Sequence, residues 1–119
     1  MPHIVQFTTP SGNIRCTMAS APPSLLMCAI DKYDFAPPLR PASCHLNWST
    51  GLVDLTAAGA SLGECVGGPQ VTYRSRVLGY GNAIQALGIG CYSGTAALTC
   101  LDIASGHGFA LSRAALATF

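Results

Sequence analysis

Three side chains of the types that a hydrolase uses lie at intervals of five residues near the end of the sequence. They are Asp102, His107 and Ser112. Nucleophilic catalysis needs a hydroxyl or thiol, a base within hydrogen-bond reach and a group that orients the base. In a chain of strands and loops this spacing does not by itself bring the three together, and the sequence lacks the G-x-S-x-G turn that exposes a nucleophilic serine. A minimal hydrolase that uses His107 is therefore the least favoured functional hypothesis.

Paired carboxylates, the other common hydrolytic device, would have to come from five acidic residues. These are Asp31, Asp34, Asp54, Glu64 and Asp102. Asp31 and Asp34 flank Lys32, a pattern that is typical of a solvated turn. A phosphate-binding loop is not indicated either, because the Gly-Gly-Pro turn at residues 67–69 has no Lys-Ser or Lys-Thr after it. We expect no enzymatic activity and no cofactor.

A binding role depends on a different set of residues. The candidates are Trp48, Tyr73, Arg74, Arg76, Tyr80 and His107. Trp48 is the lone tryptophan, and it is interpreted either as a core anchor or as an exposed ring that stacks on a sugar or a partner. Arg74 and Arg76 share one face of a predicted strand that has tyrosines nearby. This composition is common at interfaces, although a solvated strand face would look the same.

The cysteines indicate the compartment. Six occur in a chain of 119 residues: Cys16, Cys28, Cys44, Cys65, Cys91 and Cys100. In a short chain this even number favours three disulfides and a location outside the reducing cytosol. The alternatives are free buried thiols and a zinc site, but zinc ligands usually come in close C-x2-C pairs, which the sequence lacks. His45 directly follows Cys44, a poor spacing for a shared metal, so we expect no metal.

Six cysteines allow fifteen disulfide connectivities, and geometry ranks them. Residues 91–100 are predicted to form a hairpin, in which the cysteines at its two ends face one another at about 4.5 Å between Cα atoms. Residues 16–28 repeat this arrangement around an Ala-Pro-Pro turn. Cys44 then remains for Cys65. We predict this consecutive pairing, in which each disulfide stabilises the fold by roughly 2–4 kcal/mol.

Composition limits the possible classes of function. Half of the residues are hydrophobic and only 9% are charged, against about a quarter in ordinary soluble domains. The net charge of +1 leaves no basic surface that could neutralise a row of phosphates, so we expect no nucleic-acid partner. No apolar run reaches about 18 residues, so we expect no transmembrane segment. A surface so poor in charge favours a protein partner or self-association.

Glycine and proline divide the first half of the chain into short segments, most of which are predicted to be strands. Strands are predicted at residues 3–8, 13–19, 25–30 and 52–55. Three prolines make residues 34–41 an extended connector. Residues 57–62 are rich in alanine and are predicted to form one helical turn.

The second half continues this pattern. Strands are predicted at residues 71–78, 87–92, 97–103 and 109–111. Residues 112–119 are predicted to form a short helix with Ser112 as its N-cap. Two hairpins of similar design, one near each end of the chain, suggest a duplicated unit, although hairpins also resemble one another for generic reasons.

Two segments resemble the motifs of a bacterial protein family. Residues 7–16 read F-T-T-P-S-G-N-I-R-C, similar to F-x-[ST]-P-S-G-N-I-x-C, and residues 106–113 read G-H-G-F-A-L-S-R, similar to G-H-G-F-x-L-S-R. That family comprises small exported, cysteine-rich proteins of unknown function, mainly from actinobacteria. The resemblance implies an extracytoplasmic protein and supplies no activity. Both motifs also have a purely structural interpretation. The first is a turn in which proline fixes φ and glycine or asparagine accepts positive φ. In the second, Gly106 and Gly108 let the chain cross closely over another segment, where His107 can satisfy a buried carbonyl.

These observations predict a mainly β fold: a small antiparallel sheet or barrel-like sandwich, stapled by disulfides, with a short C-terminal helix. Residues 1–119 are interpreted as a single extracytoplasmic domain, and Met1 as a start added to a mature chain whose leader has been removed. The favoured function is a secreted or cell-envelope binding module without enzymatic activity. The alternative is an inhibitor of a secreted hydrolase such as a lysozyme or a protease.

Overall fold

The computed structural model describes residues 5–18, 23–67 and 76–119. In this part of the chain, ten strands form two antiparallel five-stranded sheets, each with its strands in sequence order. The first sheet contains β1 (Gln6–Thr8), β2 (Ile14–Met18), β3 (Leu26–Ile30), β4 (Asn47–Thr56) and β5 (Gly59–Val66). The second sheet contains β6 (Ala83–Ala86), β7 (Ile89–Ser93), β8 (Leu98–Asp102), β9 (Gly108–Leu111) and β10 (Leu116–Thr118). The prediction of a mainly β fold is confirmed.

One cluster of buried side chains joins the two sheets. Successive side chains of a strand point to opposite faces, so every second residue enters this core. On β2, for example, Ile14, Cys16 and Met18 are buried, whereas Arg15 and Thr17 between them are only half-buried. The largest members of the core come from both sheets and include Phe7 and Phe109.

The three disulfides have the predicted pairing. Cys16–Cys28 joins directly opposed residues of β2 and β3, and Cys91–Cys100 does the same for β7 and β8. Cys44–Cys65 ties the β3–β4 loop, just after the proline-rich connector, to β5. All six sulfur atoms are used in these bonds.

The predicted helix at residues 112–119 is wrong. Residues 112–115 form a turn, and the chain then returns along β9 as β10. The Ser112 hydroxyl accepts a hydrogen bond from the Ala115 N–H at 3.2 Å, as an N-cap would, but the Ser112 N–H also donates to the Ala115 carbonyl at 2.9 Å and closes a hairpin. Pairing of Leu116 with Leu111 places Leu116 against the core. This packing outweighs the helical propensity of the alanines, because a segment of this length is too short to be a stable helix on its own.

The predicted helical turn at residues 57–62 is also wrong. Residues 57 and 58 form the tip of a hairpin, and residues 59–62 belong to β5. Gly59 has a φ of +137°, which ends the tight turn, and from Gly59 onward the residues pair with β4 and so form β5. The strand predicted at residues 52–55 is part of the much longer β4, and β6 was not predicted.

The strand predicted at residues 71–78 lies mostly outside the described residues, as do residues 3, 4 and 19 of two other predicted strands. Within the described part, Val77 forms a single parallel bridge with Thr8. Two hydrogen bonds hold this bridge, from the Thr8 N–H to the Arg76 carbonyl at 2.8 Å and from the Leu78 N–H to the Thr8 carbonyl at 2.9 Å. Residues 76–78 thus lie along the outer edge of β1.

Candidate functional site

Four loops meet at one end of the two sheets, because alternate turns of an antiparallel meander lie at the same end. They are the β1–β2, β3–β4, β7–β8 and β9–β10 connections. Between them opens a cleft of about 490 Å³, which we call the loop-end cleft. Its lining comprises Thr9, residues 11–14, 31–32, 94–98 and 111–113, and Tyr80. Both sheets therefore contribute to a single concave site.

The first wall of the cleft is held by the side chain of Asn13. Its amide nitrogen donates to the Lys32 carbonyl at 2.8 Å, and its amide oxygen accepts from the Lys32 N–H at 2.7 Å. The Asp31 N–H also donates to the Asn13 carbonyl at 3.0 Å. Gly12, with a φ of +78°, allows the turn that presents Asn13. The β1–β2 and β3–β4 loops are thus fastened to one another.

The second wall comes from two hairpin tips of the second sheet. In the β7–β8 loop the Gly94 N–H donates to the Ala97 carbonyl at 3.0 Å. The Arg113 carbonyl accepts from the Asp34 N–H at 2.7 Å, which connects the β9–β10 turn to the β3–β4 loop of the first sheet. Tyr80 completes the rim and is 52% exposed.

The charged side chains around the cleft differ in whether they already have an ion-pair partner. The Asp31 carboxylate lies 2.7 Å from the Arg15 guanidinium, so a partner already neutralises it. Arg113 lies 3.5 Å from Asp34, and both side chains are about two-thirds exposed to solvent. Lys32 forms no ion pair with any residue that the structure describes. The charge that remains open to a ligand is therefore positive.

The structure brings one of the predicted binding residues, Tyr80, into the cleft. Trp48 lies elsewhere, half-buried on β4, where its indole N–H donates to the Pro38 carbonyl at 3.1 Å and its ring covers Gly63. Arg76 is exposed beside β1, outside the cleft lining. Tyr73 and Arg74 lie outside the described residues.

His107 and its proposed catalytic partners are not brought together. The Asp102 carboxylate is buried and accepts a hydrogen bond from the Ser105 hydroxyl at 2.6 Å. The exposed His107 ring lies 3.3 Å from the Phe119 carbonyl. Ser112 stands at the opposite end of β9 from His107, and a strand extends by about 3.3 Å per residue. The three side chains therefore form no triad.

Two carboxylates interact on the long hairpin of the first sheet. Asp54 on β4 is 8% exposed, and its Oδ1 atom is buried without a hydrogen-bond partner. Glu64 on β5 is half-buried. Burial raises the pKa of Glu64 above its ordinary value, and the nearby Asp54 charge raises it further. Asp54 and Glu64 are thus the acidic residues, among the five considered as catalytic pairs, for which a neighbouring carboxylate raises a pKa, that of Glu64.

Sequence reasoning missed Asn13, Lys32, Thr95 and Arg113 as members of one site. The signal for two of them was present, because Asn13 and Arg113 lie in the two segments that resemble family motifs. The first segment was interpreted as a turn and the second as a close crossing of the chain, and neither was placed in a shared site. Their proximity follows from the order of the strands in two separate sheets, and that order was not predicted.

Among the residues that the structure describes, no helix is long and apolar enough to cross a membrane. Nor do three or more His, Cys, Asp or Glu side chains gather in residues 5–18, 23–67 and 76–119 into a group that could hold a metal ion.

Comparison with known proteins yields one match. A family model described as a family of unknown function, DUF6636, matches residues 31–119. The matched range contains strands β4 to β10 and three of the four loops of the cleft, and it begins just after β3. No curated protein and no solved structure matches the chain.

Proposed function

The chain belongs to the DUF6636 family of unknown function, and we propose that it is a secreted or cell-envelope binding module that holds its ligand in the loop-end cleft. The observation that carries this proposal is the convergence of loops from both sheets on one concave site. Ligand sites are commonly clefts of roughly 300–1,000 Å³ with a few polar groups in fixed positions. The volume of this cleft lies within that range.

The cleft is supported by a rigid frame, which favours binding because little order has to be created when the ligand arrives. Asn13 fastens the two loops of the first sheet, and the Asp34–Arg113 backbone hydrogen bond fastens the two sheets to one another. Beneath these loops, the Cys16–Cys28 and Cys91–Cys100 disulfides cross-link the strands that lead into the cleft.

Three disulfides support a location outside the cytosol, because such bonds persist in oxidising compartments. The separation of His107 from Ser112 supports a role that does not depend on covalent catalysis. The polar side chains that line the cleft offer hydrogen bonds and charge, which are the means of recognition.

The proposal can be tested by filling the cleft. Ala96 is exposed at the tip of the β7–β8 loop and lines the cleft. We expect Ala96→Trp to occupy this space with little effect on folding. The matched control is Ala104→Trp, in an exposed turn at the opposite end of the second sheet. Wild type and both variants are screened by amide chemical-shift mapping against neutral saccharides, acidic saccharides and short peptides.

Support would come from a ligand whose shifts cluster on the cleft lining, that binds Ala104→Trp normally and that fails to bind Ala96→Trp. The proposal is overturned if every ligand found in the screen shifts residues outside the cleft or binds Ala96→Trp as well as wild type. A screen that yields no binder at all also counts against it.

A further inference from the structure

The donors and charges of the cleft narrow the class of ligand, an inference that rests on the proposed function. We infer that the loop-end cleft recognises an anionic group, a carboxylate or a phosphate, carried next to a flat ring. Three independent features of the lining lead to this chemistry: its two cations with weak or no ion-pair partners, its free N–H groups and its exposed aromatic ring.

The first feature is the balance of charge. Three charged residues line the cleft: Asp31, Lys32 and Arg113. Asp31 already has Arg15 as its partner at 2.7 Å. Lys32 has no ion-pair partner in the described chain, and Arg113 shares only a loose, solvent-exposed contact with Asp34. A ligand in the cleft therefore meets two cations that have no close ion-pair partner, and an anionic ligand could form ion pairs with both.

The second feature is the tip of the β7–β8 loop. Gly94 and Ala97 bond to one another across this loop, which leaves Thr95 and Ala96 at its apex. In the described part of the chain, the backbone N–H groups of Thr95 and Ala96 have no hydrogen-bond partner. Both residues line the cleft. Together with the two cations, these N–H groups make the lining rich in donors, which suits the acceptor oxygens of a carboxylate or phosphate.

The third feature is Tyr80. Its side chain is about half exposed although it lines the cleft. The turn that carries it is fixed, because the Gly81 N–H donates to the Ser93 carbonyl at 2.7 Å and the Asn82 N–H donates to the Gly79 carbonyl at 3.1 Å. A half-exposed aromatic ring on a fixed turn offers a surface on which a sugar or aromatic ring can stack.

The test uses three small probes of similar shape: benzoate, phenyl phosphate and benzamide. Each has a ring, but benzamide is neutral and nearly isosteric with benzoate. Binding is followed by amide chemical shifts of the intact protein at low and high salt. We expect benzoate and phenyl phosphate to shift Lys32, Thr95 and Ala96, with benzamide about tenfold weaker. Added salt should weaken the binding of the two anions and leave the binding of benzamide unchanged.

Variants separate local charge from net charge. Lys32→Gln together with Arg113→Gln should reduce benzoate binding to the level of benzamide. Lys32→Gln alone removes one positive charge from the cleft and should already weaken benzoate binding. Arg76→Gln removes one positive charge outside the cleft lining, so we expect it to leave binding unchanged. If only one of the two anions binds, the source of the anionic group is identified and the inference stands.

The inference fails if benzamide binds the cleft as tightly as benzoate, or if none of the three probes shifts the cleft residues. Neither result overturns the proposed function, which is tested separately with Ala96→Trp and the wider ligand screen. A neutral ligand that binds wild type and is excluded by Ala96→Trp would retain the binding function and refute its anionic character.

Discussion

The first and second sheets place a disulfide at the same point of the same strand order. In the first sheet, opposed residues run across β1 to β5 in the order Phe7, Cys16, Cys28, Val53 and Leu62. In the second, the matching row across β6 to β10 is Ile84, Cys91, Cys100, Phe109 and Thr118. In both, an apolar residue precedes two cysteines and another apolar residue follows them. This row supplies the centre of the core from each side.

The sheets differ on the faces that point away from the core. Strands β1 to β5 contain three charged residues, Arg15, Asp54 and Glu64, and a second buried cluster formed by Met27 and Leu52. Strands β6 to β10 contain one charged residue, Asp102, which is buried and lies on the same face of β8 as the core residue Cys100. Charged residues are therefore scarcer on the strands of the second sheet than on those of the first. The shared row contributes to the stability of both sheets, whereas the unequal distribution of charge determines where ionic effects on stability arise.

Cys16–Cys28 and Cys91–Cys100 are the matched disulfides of the two rows. Removal of either one tests whether the rows are equivalent, and it should lower the free energy of unfolding more than any other predicted change. Cys16–Cys28 and Cys91–Cys100 close segments of similar length, with sequence separations of 12 and 9. The loss of chain-entropy stabilisation is then similar, about 3 kcal/mol for either pair of Cys→Ala changes. Urea unfolding of the two double variants measures it. A difference of more than about 1.5 kcal/mol between them would break the equivalence.

The third disulfide supplies a control that does not require a folded variant. Cys65 is exposed, whereas both cysteines of each matched disulfide are buried. Thiol attack needs access to a sulfur atom, so Cys44–Cys65 should be reduced first under mild reductant. Mass spectrometry of partly reduced, alkylated protein identifies the order. Earlier reduction of Cys91–Cys100 would show that the second sheet opens more readily than the first.

The long hairpin that distinguishes the first sheet depends on Gly63. A Cβ atom at this position would lie 2.5 Å from Cζ2 of Trp48 and 2.7 Å from Cγ of Pro38, at a φ of +91°. Gly63→Ala should therefore destabilise the fold by about 2–3 kcal/mol, from steric clash together with backbone strain. Gly59→Ala is the matched control on the same strand, with a φ of +137° and open space around it. Its cost should be near 1 kcal/mol, from strain alone.

Thermal and urea unfolding of the two glycine variants separate steric clash from strain. Equal losses of stability would mean that Trp48 and Pro38 move aside easily. The connector would then be loosely packed on the first sheet, despite the hydrogen bond from Trp48 to the Pro38 carbonyl and the bonds from Arg40 to the Cys44 carbonyl at 3.1 and 2.8 Å.

Local patterns predicted the elements that depend on local chemistry. The two disulfide hairpins were predicted because the cysteine pair of each hairpin brackets a short turn. The pairing of Cys44 with Cys65 followed by elimination. Strands β5 and β6 were not predicted, because Gly-Ala-Ser-Leu and Ala-Ile-Gln-Ala carry few β-branched residues and form strands through pairing with β4 and β7. At Ser112 the same capping hydrogen bond serves a helix or a hairpin, and only the packing of Leu116 decides between them.

The cleft was harder to predict than the strands. Tyr80 was identified for its residue type, whereas Lys32 was interpreted as part of a solvated turn. Asn13 and Lys32 are 19 residues apart, and their two hydrogen bonds form only once β2 and β3 have paired. A binding site built from turns of two sheets depends on the topology, which composition and periodicity do not specify.

A substitution in the β6–β7 turn, at the end of the second sheet opposite the cleft, should change the stability of the protein by a smaller amount. Leu87 and Gly88 have φ values of +55° and +80°, the backbone of a two-residue hairpin turn that favours Asn-Gly. Leu87→Asn should stabilise the protein by about 0.5–1 kcal/mol, since leucine is strained there and its side chain is about half exposed. In the first sheet, the corresponding β1–β2 turn already places a glycine, Gly12, at positive φ. Loss of stability in Leu87→Asn would instead show that the leucine side chain makes contacts that outweigh its backbone strain.

The smallest predicted effect concerns Glu64 and should be confined to the first sheet. Burial, and then the Asp54 charge, raise the pKa of Glu64 in the folded protein. The folded state therefore holds this proton after the unfolded chain has lost it, so stability falls as pH rises from the ordinary glutamate pKa through the raised one. Glu64→Gln should remove this fall. The variant should match wild type at low pH and be more stable near neutral pH by about 0.5 kcal/mol or less.

Urea unfolding of wild type and Glu64→Gln across the acidic pH range measures the difference in their free energies of unfolding. The same measurement on Asp54→Asn separates the contribution of burial from that of the Asp54 charge. Because burial is the larger cause, Asp54→Asn should retain most of the pH-dependent fall that Glu64 produces. If Asp54→Asn abolishes the fall as fully as Glu64→Gln does, repulsion between the two carboxylates outweighs burial. If neither variant changes the pH profile, Glu64 is solvated in solution, and the ionic difference between the two outer faces has no consequence for stability.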